Sequence, residues 1–212
     1  LGIKTLIKPS VVEKCISKAN IGFMMAPVHH PAVRHVMPTR QMLGVRTIFN
    51  ILGPLTNPAE VNYHLIGAYD QNLLNPMASV LKELGSKRAW LVHGKDGIDE
   101  ISISGPTTIV QLDKNKIDSF EISPNDAGLP EHPLSSILGG TPEKNASELL
   151  SLINGKLGPY RDAVLFNSAA ALIVAKKAPN LKKGVSIAAN SIDSGATKST
   201  FKLLSKLTLE KI

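Results

Sequence analysis

The chain has 212 residues, of which 43% are hydrophobic and 19% charged, with one cysteine and a net charge of +7. That composition excludes disorder, collagen-like repeats, an internal disulfide framework and a cysteine-based zinc cluster, while the length is enough for one large domain with a real core. The charge is uneven: from Lys176 to Ile212 eight lysines face only Asp193 and Glu210, giving +6 and leaving the other residues at +1. In chain order, Ser10-Val-Val-Glu13 reads as a capping box that opens a helix to about Ala19, with Cys15 in its apolar pattern as a core residue. Ile21 to Ala26 reads as a short buried strand. After Pro31 a helical segment interrupted by Pro38 carries Arg34, Arg40 and Met42 and stops at Gly44. Thr47 to Leu52 predicts a short apolar turn, closed by a loop around Gly53 and Pro54.

The strand His64 to Tyr69, the helix Leu74 to Leu84 and the strand Ala89 to His93 form a βαβ unit, since two short apolar runs flank an amphipathic crossover. Ile101 to Leu112 and Ile117 to Ile122 alternate as antiparallel or edge strands do. A long loop runs from Ser123 to Gly140, and Thr141-Pro142 then supplies an N-cap and an N1 proline for a helix to about Asn154. The helix Tyr160 to Lys176 is apolar nearly all round, which predicts burial. Its stretch Leu165 to Ala175 is the longest apolar run, but Asn167 and Ser168 interrupt it and it is far below the roughly 20 residues that span a bilayer, so no membrane segment is expected. The last two helices carry the lysines opposite Leu181, Val185 and Ile192, then Phe201, Leu204 and Leu207. Solvated faces account for such lysines, and one aromatic, Phe201, is too few for a stacking nucleic-acid groove. The class is α/β.

The richest stretch for chemistry is Leu91-Val-His-Gly-Lys-Asp-Gly-Ile-Asp-Glu100. An apolar strand runs into Gly94 and Gly97 and delivers Asp99 and Glu100 just beyond its carboxyl end, where open α/β sheets bind ligands. Two oxygen donors suit Mg²⁺, although a solvated pair of acids on a loop gives the same spelling. His29, His30 and His35 invite a zinc reading, but the spacing of His30 and His35 is one residue off a single helical face and Pro31 breaks the helix. His64 and His132 show no partners in the sequence. No Gly-x-Ser-x-Gly elbow is present. Arg40, among Met37, Met42 and Leu43, can clamp a carboxylate through two parallel hydrogen bonds or pair with a structural acid, and Arg34 and Arg46 compete for either role.

Five stretches together carry a family likeness: Gly22-Phe-Met-Met-Ala-Pro27 with His30-Pro31, Arg40-Gln-Met-Leu-Gly44, the run from Arg46 to Pro58, Val92-His-Gly94 with Asp96-Gly-Ile-Asp-Glu100, and Arg161 to Leu172. The chain resembles the anthranilate phosphoribosyltransferase family over essentially its whole length, and the run ending at Pro58 is the most specific part. The resemblance implies phosphoribosyl transfer from phosphoribosyl pyrophosphate (PRPP) to the amine of anthranilate in tryptophan biosynthesis, with Mg²⁺, in the cytoplasm. It implies a mixed, largely parallel central sheet flanked by helices, of the nucleoside phosphorylase/phosphoribosyltransferase type, with a remnant of a small helical domain. Residues 1–20 would end an N-terminal part, 21–212 would form the α/β domain, and 31–55 would pack with the helical domain. Arg40 is implied as the anthranilate carboxylate contact, Asp99 and Glu100 as metal ligands, Gly53 and Pro54 as the wall of the anthranilate tunnel and His30 as part of its mouth. No general base is implied.

Members of the family carry a glycine-rich pyrophosphate loop and a lysine-histidine-glycine-asparagine segment ahead of the position where this sequence starts, and neither occurs in these residues. The opening Leu-Gly-Ile-Lys has no initiator Met and no signal pattern, so a piece of a longer protein is expected. Family members form homodimers through the helical domain, which leaves dimerisation of these residues doubtful. The expected result for the purified 212-residue chain is no anthranilate-dependent pyrophosphate release, and robust release would refute that expectation. A pyrimidine nucleoside phosphorylase-like enzyme would lack the Arg40 to Pro58 run. A non-enzymatic nucleic-acid-binding relative would depart at Arg40, Asp99 and Glu100, which are intact.

Overall fold

A computed structural model describes residues 1–30, 42, 44, 45 and 47–210. They fall into two compact units, Leu1–Glu60 with Gly195–Ile212, and Val61–Ser194.

In the first unit, helix α1 spans Pro9–Ala19. The capping box does not form: Lys8 is the N-cap and no side chain caps the helix. Pro9 decides this. A residue before proline is driven to extended backbone, and Lys8 has ψ 150°, while proline is preorganised for the first helical position, so Ser10 falls too deep in the helix to cap it. The strand expected at Ile21 to Ala26 is also absent. Ile21 and Phe23 are 47% and 50% exposed, the segment has no ladder partner among the described residues, and Pro27 lies in the first turn of the one-turn helix α2, Ala26–His29. The predicted loop around Gly53 and Pro54 lies within helix α3, Phe49–Leu55. The Asn50 side chain accepts the Thr47 amide at 2.8 Å, and Pro54 sits in the last turn, where its missing N–H removes only one helical bond. Helix α8, Ala196–Leu209, packs on α1, with Leu204 and Leu207 against Val11 and Cys15. Cys15 is fully buried, and burial followed by the Glu210 charge pushes its thiol up against the opposing pull of Lys14, as suits a core residue.

The second unit bears out the βαβ reading. Strand β1 spans Tyr63–Gly67, helix α4 Leu74–Glu83 and strand β2 Arg88–Gly94; β1 and β2 pair in parallel from Tyr63 with Arg88 to Gly67 with Val92. Strands β3, Thr107–Asp113, and β4, Lys116–Ile122, form a hairpin whose turn residues Lys114 and Asn115 have φ of 49° and 63°, the left-handed pair that matches the twist of the flanking strands. The order is β1-β2-β3-β4. The class is mixed α/β as expected; among the described residues one ladder is parallel and the two involving β3 are antiparallel. Residues Ile101 to Ser104, expected to begin a strand, form a bend before β3 because side chains claim their backbone groups. His64, in β1, finds a partner that the sequence did not reveal, the Ser86 hydroxyl at 3.0 Å from Nε2.

Helix α5 spans Pro142–Ile153 with the expected Thr141 cap, α6 spans Pro159–Val174 and α7 spans Leu181–Asp193. The burial predicted for α6 holds: Phe166, Ala169, Ala170 and Ile173 join Trp90, Val92, Ile101 and Ile109 in one core. Small residues bring α6 and α7 together, and a Cβ on Gly184 would come within 2.7 Å of Ala169. Trp90 and Phe120 meet edge to face at 5.5 Å, and Trp90 Nε1 donates to Gln111 at 2.8 Å. Helix α4 packs on β2 and β3, and α6 on β1 and β2. Lys176, Lys177, Lys182, Lys183, Lys198, Lys202 and Lys206 are all exposed, as solvated faces require. Among the described residues no helix is long and apolar enough to cross a membrane.

Candidate functional site

The carboxyl ends of the parallel pair β1 and β2 organise the second unit's candidate site. The Ala68 amide donates to the Val92 carbonyl at 3.0 Å, and His93 Nδ1 lies 2.8 Å from the Ala68 carbonyl, which ties the two strand ends together. The chain then turns tightly: Gly97, at φ 93°, donates its amide to the Gly94 carbonyl at 2.9 Å, and the Gly94 amide donates to the Ile98 carbonyl at 2.9 Å. The left-handed φ at Gly97 favours glycine. Asp99 and Glu100 follow, both exposed.

Three devices fix this acidic turn. The first is steric: a Cβ on Gly67 would sit 1.6 Å from the Asp99 carbonyl oxygen, so the end of β1 has room only for backbone there. The second is Asn167 on α6, whose carboxamide accepts the Ile101 amide at 3.0 Å and donates to the Ile101 carbonyl at 2.9 Å and the Ala163 carbonyl at 3.1 Å. The residue directly after Glu100 is thereby held on both its polar backbone groups. The third is Asp96, which accepts the Ser102 hydroxyl at 2.6 Å and the Ser104 hydroxyl, while the Ser102 amide donates to Thr107 Oγ1 at 2.8 Å. Burial alone would raise the Asp96 carboxyl, but the hydrogen bonds from Ser102 and Ser104, helped by the Ile98 backbone, outweigh it and hold the group below its ordinary value.

Behind the turn, the Tyr160 phenol at the start of α6 is pushed up by burial and then by the carboxylates of Glu100 and Glu148. Asp162, two residues further on, pairs with His132 Nε2 at 2.8 Å, and the His132 amide donates to the Ile103 carbonyl at 3.0 Å. His132 therefore serves to brace the 101–104 bend.

His64 is buried at 7% exposure, and this desolvation, opposed by a hydrogen bond to the Val61 backbone, keeps its imidazole below the ordinary value. The unfolded chain then binds more protons than the folded one as pH falls through about 6.5, so stability declines in that window. The expected result is a urea midpoint that falls from about pH 7 to about pH 5.5 in the parent chain and falls less in His64→Gln; equal declines would show that His64 is not the titrating group.

In the first unit His30 follows α2, and Gly53 and Pro54 lie in α3, so the structure places both proposed tunnel residues on a helix. Arg40 lies outside the described residues, as do Arg34, His35 and Arg46. Among the described residues no group of three or more His, Cys, Asp or Glu could hold a metal ion. The Asp99 and Glu100 pair nonetheless fits Mg²⁺ by donor chemistry: exposed carboxylate oxygens on a braced turn match an ion that keeps several waters and binds phosphates through one or two carboxylates. Gly67 and Asn167 went unrecognised in the sequence as parts of this site. The one available signal was an asparagine inside an otherwise apolar, buried helix.

Residues 1–198 match the family model described as "Glycosyl transferase family, a/b domain". The chain is 52% identical over 204 residues to an anthranilate phosphoribosyltransferase of Rhodopseudomonas palustris (strain HaA2), covering 96% of this chain and 60% of that protein. Its fold matches the crystal structure of the anthranilate phosphoribosyltransferase of Thermus thermophilus with a TM-score of 0.91 at 37% identity, covering 99% of this chain and 62% of the other. The Saccharomyces cerevisiae enzyme in complex with PRPP and Mg matches with a TM-score of 0.88 at 30% identity, covering 98% and 60%. This chain thus spans about 60% of the length of these relatives.

Proposed function

Because the chain belongs to the glycosyl transferase family through its a/b domain, we propose that it forms part of an anthranilate phosphoribosyltransferase, transferring phosphoribosyl from PRPP to anthranilate with release of pyrophosphate. The observation that carries this reading is the Asp99–Glu100 turn, presented at the carboxyl ends of β1 and β2 and braced by Gly67, Asn167 and Asp96. Relatives of half or roughly a third identity bear that activity in their names, and one is described with PRPP and Mg.

In this reaction the anthranilate nitrogen bonds to the anomeric carbon of ribose as the bond from that carbon to pyrophosphate breaks, and the surplus amine proton passes to solvent. Bound at Asp99 and Glu100, Mg²⁺ would neutralise charge on the departing pyrophosphate. The backbone that carries the two acids is held without help from a ligand, by the packing of Gly67 on the Asp99 carbonyl and the Asn167 bonds to Ile101, so the turn need not reorder when charge develops. The Arg40 guanidinium takes the planar carboxylate of anthranilate through paired hydrogen bonds, orienting its amine. Gly53 and Pro54 wall the anthranilate path and His30 lines its entrance. No side chain is assigned as a general base; the role given to these residues is to position the aromatic amine at a cation-like carbon. The full-length enzyme would be a cytoplasmic homodimer.

The test uses a protein of the relatives' full length that carries this sequence. Asp99→Asn with Glu100→Gln is expected to abolish Mn²⁺ binding measured by electron paramagnetic resonance, and unchanged affinity would remove the metal assignment. Arg40→Ala should raise the anthranilate KM by roughly tenfold to a hundredfold, the worth of a charged hydrogen-bonded pair, with PRPP affinity little changed. A fall in PRPP affinity instead would make the role given to Arg40 wrong.

A further inference from the structure

The parallel ladder of β1 and β2 stops one main-chain bond early. The Ala68 amide donates to the Val92 carbonyl at 3.0 Å, and in an evenly spaced parallel ladder the next bond takes the Gly94 amide to the Ala68 carbonyl. That amide turns away: it donates to the Ile98 carbonyl at 2.9 Å and closes the turn ahead of Asp99 and Glu100. The Ala68 carbonyl is met instead by His93 Nδ1 at 2.8 Å. We propose that His93 is a positioning residue for the acidic turn, its imidazole replacing the main-chain donor so that Gly94 is free to close that turn. Its consequence for catalysis rests on the metal reading of Asp99 and Glu100.

The chemistry of the pair fixes the tautomer. A carbonyl oxygen only accepts, so Nδ1 carries the proton and donates. Among the described residues nothing bonds to Nε2, so Nδ1 is where this ring acts. Ala68 is 2% exposed, and a buried carbonyl left without a donor is costly. With the imidazole removed, the donor that the ladder geometry offers is the Gly94 amide, and its transfer to Ala68 would open the Gly94–Ile98 bond. The turn folds directly onto Gly94, where a Cβ would sit 2.5 Å from Asp96 Oδ1 and 2.9 Å from the Ile98 side chain. A change of partner at this amide therefore moves the residues just before the two acids. Asn167 holds the other side of the turn, at Ile101, and His93 governs its entry.

In the 212-residue chain, nuclear magnetic resonance reads these bonds directly. At alkaline pH the imidazole ¹⁵N shifts should show His93 protonated at Nδ1 and bare at Nε2, and scalar coupling across the hydrogen bond should link the Gly94 nitrogen to the Ile98 carbonyl carbon. In His93→Ala that coupling should pass to the Ala68 carbonyl carbon. In the protein of the relatives' full length, His93→Ala should weaken Mn²⁺ binding by roughly tenfold or more, as loss of a group that supports a metal ligand does. His93→Asn, whose Nδ2 takes the place of Nδ1, should restore the parent affinity, whereas His93→Gln, whose amide reaches the place of Nε2, should not. A ring protonated at Nε2 alone, a Gly94–Ile98 coupling retained in His93→Ala, parent-like Mn²⁺ binding by that variant, or rescue by glutamine and not asparagine would each overturn the proposal. If the Asp99→Asn, Glu100→Gln protein bound Mn²⁺ as the parent does, the metal reading alone would fall, and the coupling measurement would still decide what His93 does.

Discussion

Gly67→Ala is expected to destabilise the second unit by about 1–3 kcal/mol and to displace the acidic turn, because overpacking at a site with no room forces backbone to move. The new Cβ would lie 1.6 Å from the Asp99 carbonyl oxygen, and the obstructing atom is backbone, so no rotamer change relieves the contact. Either β1 shifts against β2 or Asp99 lifts from the strand end. The first outcome weakens the ladder from Tyr63 with Arg88 to Gly67 with Val92, and the second moves both proposed metal ligands. Thermal unfolding measures the stability, and Mn²⁺ affinity in the full-length protein measures the ligand geometry. An alanine variant with the parent's unfolding midpoint and metal affinity would show that the close approach of Gly67 and Asp99 does not govern the site.

Asn167→Ala is the second large effect. It deletes the acceptor for the Ile101 amide and the donors to the Ile101 and Ala163 carbonyls. Ile101 is itself 1% exposed, so its backbone groups gain little water in exchange. With a net worth of about 1 kcal/mol per hydrogen bond and a larger cost where a buried group is left unpaired, the expected loss is about 2–4 kcal/mol. A local readout separates this clamp from general loosening: the Ile101 amide should exchange with solvent much faster than its neighbours in β2 and β3. Asn167→Asp keeps an acceptor for the Ile101 amide but loses both donated bonds, so it should restore part of that amide's protection and little of the stability. If Ile101 exchange is unchanged in Asn167→Ala, the carboxamide does not position the turn.

The acid side of the stability profile depends on Asp96. Its carboxyl is held below the ordinary value by the Ser102 and Ser104 hydroxyls in spite of burial, so its contribution is complete above the unfolded carboxylate pKa of about 3.9 and is lost as pH falls through the lower folded value. Asp96→Asn should therefore flatten the unfolding midpoint below about pH 4, where the parent declines. A parallel decline in both proteins would place the acid sensitivity elsewhere.

Much of the fold could be read in the sequence where local signals and burial agree. The βαβ unit emerged from two short apolar runs and an amphipathic crossover, the Thr141-Pro142 start of α5 from capping chemistry, and the buried α6 from its lack of a polar face. The failures share a cause. Ser10 was passed over as a cap because Pro9 fixes where α1 begins, Gly53 and Pro54 stay helical because the last turn tolerates a missing N–H, and Ile101 to Ser104 alternate like a strand but lose their backbone groups to side chains. In each case a local or long-range constraint outweighed the pattern read from neighbouring residues.

The sequence by itself determined the family likeness, the class, and the chemical candidates Asp99, Glu100 and Arg40, since these reside in residue types and short spacings. Only the tertiary structure decided what holds the acids in place. Gly67 lies 32 positions before Asp99 and Asn167 lies 66 positions after Ile101, so neither link leaves a periodic trace in the chain. A glycine forced by a neighbouring carbonyl and an asparagine forced by a distant peptide group look in sequence like any other glycine and asparagine. Long-range packing and hydrogen bonding give them their meaning, and those forces act only after the chain has folded.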